Sequence, residues 1–279
     1  MVQMRKLLFS LFLILFLISG CSGSEFTSHP ESALTLLEKE QPPADFIPKD
    51  LKVVSIGDSL TQGVGDSTKS GGYVPYLKES LEGLDAVKQA EFSNYGVRGN
   101  RTDQLLKRLK NDDIKSAIEE SDVVIITIGG NDVMKVFKEN IYDLNLAVFN
   151  NEMDKYGDRL YELLKLIRSY NAETGIVLIG IYNPFNTWFS EIKEVDEIIL
   201  NWNRLSEDVL EGFGQSAFIS VNDIFIEGKE SLLFEEDYFH PNDEGYELMA
   251  KRMFEELTER ETLAELTQSE FIVREEGLE

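Results

Sequence analysis

Cysteine and histidine are nearly missing from this chain of 279 residues, which holds one of the first, Cys21, and two of the second, His29 and His240. A single cysteine excludes an internal disulfide, and one Cys with two His cannot supply an ordinary four-ligand zinc site. Positive charge is also short. With 27 Lys+Arg against 51 Asp+Glu, the formal net charge is −24. No basic stripe is left to neutralise phosphates, which excludes nucleic acid as a partner. Long apolar runs are missing too: the stretch from Leu7 to Ile18 has only 12 residues, too few to cross a hydrocarbon core of about 30 Å. What remains, 42% hydrophobic and 10% aromatic, is the composition of a globular chain able to bury a full core.

The apolar stretch has a different use. Arg5 and Lys6 precede it, and Ser19-Gly20-Cys21 follow it, which is the layout of a secretory signal. Small residues directly before the sole cysteine resemble a bacterial lipoprotein signal, cut before Cys21 so that Cys21 is lipidated. An ordinary signal peptide with an incidental cysteine, or a residual membrane anchor, is the competing reading. Cleavage there leaves 25 basic against 51 acidic residues, and 25 − 51 gives −26. Anionic headgroups repel such a body, so a covalent lipid would have to hold it at the outer face of the cell membrane. Residues 1–20 are therefore expected to be the signal, and 21–50 the lipidated cysteine with a polar tether. His29 lies in that tether as a solvated residue.

From residue 51 to about 265, short β-branched runs alternate with amphipathic stretches. Strands are expected at Leu51–Ile56, Glu91–Asn94, Asp122–Ile128, Gly175–Ile181 and Ala217–Val221. VVIITIG and GIVLIGI are almost wholly apolar, as in parallel strands covered on both faces. Helices are expected near Tyr73–Leu81, Thr102–Lys110, Asp112–Glu120, Asp154–Tyr170, Glu191–Gly212 and Asp243–Thr258. The alternation predicts an α/β domain with an open parallel sheet between two helical layers. Residues 266–279 read as an acidic tail. Ligands of such sheets bind beyond the carboxyl ends of the strands.

The first strand runs into Gly57-Asp58-Ser59-Leu60-Thr61-Gln62-Gly63. The phosphate-binding P-loop, the dinucleotide fingerprint and the Gly-x-Ser-x-Gly elbow are all absent there. Taken alone, Ser59 reads most simply as a helix cap. The second strand leads to Asn94-Tyr95-Gly96-Val97-Arg98-Gly99-Asn100-Arg101-Thr102, and the third to Gly129-Gly130-Asn131-Asp132. Gly99 would let a backbone N–H approach a ligand, and Asn131 is either an amide donor or a turn residue. Asp237-Tyr238-Phe239-His240-Pro241 carries the last imidazole, with a carboxylate three residues before it.

Together, GDSLTQG, NYGVRGNRT, GGND and DYFHP resemble the four blocks of the SGNH/GDSL hydrolases, across roughly Leu51 to Thr258. With its signal the chain is similar to lipoprotein members from Gram-positive bacteria. The resemblance implies a flavodoxin-like three-layer α/β/α fold with a five-stranded parallel sheet. It also implies ester hydrolysis without cofactor or metal. Ser59 would be the nucleophile, His240 the base and Asp237 its orienting carboxylate. The N–H groups of Ser59 and Gly99 and the amide of Asn131 would form the oxyanion hole. The expected activity is that of an esterase or lipase on lipid esters such as lysophospholipids. O-acetyl groups of polysaccharides, or a non-catalytic binding role, are the alternatives. Arg98 stands where a small polar residue is expected, and reads as a surface ion pair or as a contact to an anionic part of the substrate. Phe185 and Trp188, in an aromatic loop after the fourth strand, read as core packing or as an apolar wall for an acyl chain.

Overall fold

The computed structural model describes residues 47–140, 146–184, 193–228, 232–259 and 262–268. The signal and tether expected before residue 47, with Cys21, lie outside these residues, as do Phe185 and Trp188.

Five strands, β1 (Lys49–Gly57), β2 (Val87–Gly96), β3 (Val123–Thr127), β4 (Gly175–Ile179) and β5 (Ser216–Ile219), form one sheet in the order β2-β1-β3-β4-β5. All neighbouring pairs are parallel. Strand faces alternate between two cores. Leu51, Val53, Val123, Ile125, Val177 and Ile179 turn to one side. There they meet α2 (Val74–Glu82), α8 (Asn222–Gly228), α9 (Asp243–Thr258) and α10 (Thr262–Leu266). Val54, Ile56, Val124, Ile126, Ile176 and Leu178 turn to the other. That face packs on α3 (Thr102–Arg108), α4 (Asp112–Glu119), α5 (Gly130–Glu139), α6 (Leu146–Tyr170) and α7 (Lys193–Glu211). The three-layer α/β/α architecture and its five-stranded parallel sheet are as expected.

Element bounds differ where the sequence signal was weak. β2 is an edge strand with an exposed face, so its ten residues lack the apolar run that marked β3 and β4, and only its middle was expected. Helix α6 begins at Leu146, eight residues before its expected start. The short helices α1 (Ser59–Gln62), α5, α8 and α10 were not expected. Lys49 and Asp50 belong to β1, and Leu266 and Thr267 are buried, so the folded unit exceeds the expected 51–265 at both ends.

Register decides where the site forms. Gly57 at the end of β1 pairs with Gly96 of β2 and with Thr127 of β3. The loops that follow these three strands therefore start side by side. β2 and β3 flank β1 on opposite sides, so chain direction across the sheet reverses there, the place where ligands of open α/β sheets bind.

Candidate active site

Asp58, not Ser59, caps the first of these loops: its carboxylate accepts the N–H of Leu60 at 3.0 Å. Ser59 thus becomes the first residue of α1, with its side chain at the mouth of the sheet and its own N–H unpartnered among the described residues. A Cβ on Gly57 would lie 2.1 Å from the Thr127 carbonyl oxygen, so only glycine lets β1 turn so closely over β3.

His240 comes from the loop before α9. Its Nε2 stands 2.8 Å from Ser59 Oγ, and its Nδ1 stands 2.6 Å from Asp237 Oδ2. The other oxygen of Asp237 accepts the N–H groups of Phe239 and His240, each at 3.0 Å. Tyr182, three residues past the end of β4, donates its hydroxyl to the Phe239 carbonyl at 2.6 Å and anchors the His240 loop. The structure thus brings Ser59, Asp237 and His240 into one relay, although 181 residues separate the first from the last.

Burial pushes the His240 imidazole below its ordinary value, against the pull of Asp237, and the positive charge of Arg98 pushes the same way. Burial would raise Asp237, but the donors from His240 and Phe239 outweigh it and hold the carboxyl below its usual range. A neutral imidazole on a fixed carboxylate can accept a proton from a serine hydroxyl near neutral pH.

The second loop holds Gly99 in a tight turn, with Asn100 N–H donating to the Val97 carbonyl at 3.1 Å. Gly99 has φ +78° and open space where a Cβ would be, and its N–H has no partner among the described residues. Asn131, at the start of α5, donates its amide to the Asn100 carbonyl at 3.0 Å and faces Asp58 Oδ2 at 3.5 Å. Gly99 and Asn131 therefore flank Ser59 from opposite sides of β1.

Two buried carboxylates carry no sequence signal of their own. Asp132 Oδ2 accepts both the N–H and the hydroxyl of Thr102, each at 2.9 Å, while Oδ1 pairs with Arg159 at 3.1 Å. Asp58 is buried, and burial raises it to about 7 against its bonds from Leu60 and Thr127. Both sit inside quoted motifs, yet nothing in a sequence separates a buried carboxylate from one that caps a turn.

A cavity of about 40 Å³ opens beside Ser59, lined by Gly130, Asn131, Ile181, Tyr182, Pro184 and Phe239. Arg98 lies across β1 from it. The side chain is exposed, and its backbone N–H donates to Gln62 Oε1 at 2.5 Å.

The three-layer α/β/α sheet holds a serine, a histidine and an aspartate in one hydrogen-bonded line beyond the end of its first strand. The GDSL-like lipase/acylhydrolase family profile matches residues 55–248, and the chain belongs to that family. It is a carboxylic ester hydrolase. Bacillus subtilis YpmR is 35% identical over 204 residues, covering 73% of this chain and 80% of YpmR. The spore germination lipase LipC of Bacillus licheniformis is 27% identical over 207 residues, covering 73% of this chain and 94% of LipC. Among solved structures, the lipase Lip_vut3 from goat rumen metagenome superposes with a TM-score of 0.65 at 27% identity, covering 73% of this chain and 95% of the other.

Proposed function

We propose that the protein hydrolyses carboxylic esters through an acyl-enzyme on Ser59. His240 Nε2 takes the hydroxyl proton as Ser59 Oγ attacks the carbonyl carbon, and Asp237 stabilises the imidazolium that forms. The carbonyl oxygen, now an anion, is held by the N–H groups of Ser59 and Gly99 and by the amide of Asn131, which turns from the Asn100 carbonyl to meet it. His240 returns the proton to the leaving alcohol. A water, deprotonated by the same ring, then cleaves the acyl-enzyme and releases the acid. The observation that carries this reading is the unbroken chain from Ser59 Oγ through His240 to Asp237, at 2.8 and 2.6 Å.

Two substrate classes follow from different observations. The small cavity beside Ser59 favours acyl groups of few carbons, such as O-acetyl groups on polysaccharides. The lipase name of a relative, and a lipid on Cys21 that would hold the enzyme at the outer face of the cell membrane, favour lipid esters. Nitrophenyl esters from acetate to laurate, lysophospholipids and acetylated xylan separate them. Turnover lost in Ser59→Ala and His240→Ala, with melting temperatures kept, supports the mechanism, and wild-type rates in either variant overturn it. Fatty-acid labelling that disappears in Cys21→Ala supports the anchor, whereas labelling that persists overturns it.

A further inference from the structure

The apolar cavity and Arg98 lie on opposite sides of Ser59. The cavity is lined by the ends of β3 and β4 with their loops, by Ser59 and Leu60 after β1 and by Phe239, while Arg98 follows β2, the strand on the other flank of β1. The oxyanion donors stand between these two sides. An ester whose acyl group enters the cavity can extend its alcohol over the β2 loop, on the other flank of Ser59. Arg98 occupies the corner of that loop, one residue before the Gly99 N–H.

The loop is held from three directions. Val97 N–H donates to the Gly57 carbonyl at 3.1 Å, Arg98 N–H to Gln62, and Thr102 is clamped by Asp132. The guanidinium itself makes no ion pair with any described residue, in a chain with 51 carboxylates. Its charge nevertheless reaches His240. A cation that lowers the proton affinity of a base opposes a reaction in which that base must become cationic. A substrate that brings negative charge to this corner removes that opposition as the imidazolium forms, which is stabilisation realised mainly in the transition state.

We propose that Arg98 binds a phosphate carried by the alcohol part of the substrate, so that the enzyme prefers esters of phosphorylated alcohols over their neutral counterparts. This rests on the ester-hydrolase mechanism above. The phosphate could belong to a lysophospholipid headgroup or to a soluble phosphorylated polyol.

The experiment compares two matched pairs by acid release at about 0.15 M salt: butyryl-glycerol against butyryl-glycerol 3-phosphate, and a lauroyl monoglyceride against lauroyl lysophosphatidylglycerol in neutral micelles. The readout is the ratio of kcat/KM within each pair, which cancels any shared effect on His240. Charge-assisted bonds of this kind discriminate by about 10- to 100-fold. The ratio should fall by about tenfold or more in Arg98→Gln and further in Arg98→Glu. It should stay near wild type in Arg98→Lys and in Lys110→Gln, which removes an exposed charge beyond the far end of α3. A fall in the soluble pair supports the proposal and assigns the phosphate site to the loop itself. A fall in both pairs supports it with lysophospholipids included. An unchanged soluble-pair ratio in Arg98→Gln overturns it, whatever the micelles show. Loss of activity on all four esters in the wild type would instead overturn the ester-hydrolase mechanism.

Discussion

Asp132 Oδ2 accepts two hydrogen bonds from Thr102, one from its N–H and one from its hydroxyl, both at 2.9 Å. The neighbouring Asn131 bonds to the Asn100 carbonyl. Two consecutive residues of α5 thus fix the loop that presents Gly99, although neither carboxylate oxygen of Asp132 touches the reacting atoms. Asp132→Ala should lower kcat about tenfold or more while changing KM little, because the proposed oxyanion donor is displaced and ground-state binding is not. Steady-state kinetics with a melting curve check this. Asp132→Asn keeps an acceptor for Thr102 and should fall between wild type and Ala.

The proposed mechanism requires His240 to be neutral, and its proton affinity is lowered by burial, with Arg98 adding to the effect. The acid limb of kcat/KM for a neutral ester should therefore fall at a pH below 6.5, the ordinary imidazole value. Removing the Arg98 charge makes protonation easier, so Arg98→Gln should move that limb upward. A limb that stays put or moves down in a pH series would contradict the electrostatic assignment.

Asp58 gives a stability signature of opposite origin. Its folded-state value is raised to about 7 from 3.8, so the folded chain holds a proton that the unfolded chain has released between those limits. The contribution of Asp58 is fully present below about pH 4 and is lost as pH rises through 7. Asp58→Asn resembles the protonated form at every pH. Its melting temperature should match wild type near pH 4 and exceed it by a growing margin up to pH 8. A margin that does not grow would show that Asp58 titrates normally.

Gly130 borders the cavity beside Ser59, and a Cβ there would meet only Ile181, at 4.0 Å. Gly130→Ala therefore adds a methyl group to the space for the acyl chain without backbone strain, and Ala suits a helix start better than Gly. The variant should melt at or above the wild-type temperature. Its preference for nitrophenyl acetate over butyrate should rise several-fold, read as the ratio of kcat/KM values.

Much of the fold was legible because β3 and β4 are covered on both faces and so carry unbroken apolar runs. β2 was only half legible: an edge strand with one exposed face alternates irregularly, and Lys88, Gln89 and Glu91 hide its length. α5 was obscured because its first residues read as a glycine turn. At the site, Ser59, Gly99, Asn131, Asp237 and His240 were legible through motif resemblance, and the structure brings them to one end of the sheet. Asp58 and Asp132 were not, because their importance comes from enclosure and from partners 30 or more residues away, such as Thr102 and Thr127. No local pattern encodes that.

The most direct test is active-site labelling with a fluorophosphonate, read by intact mass and peptide mapping. One adduct per chain is expected, on Ser59, absent from Ser59→Ala and strongly slowed in His240→Ala, since only a serine relieved of its proton reacts readily. A folded wild-type protein that takes up no label on Ser59, or a His240→Ala protein labelled as fast as wild type, would contradict it.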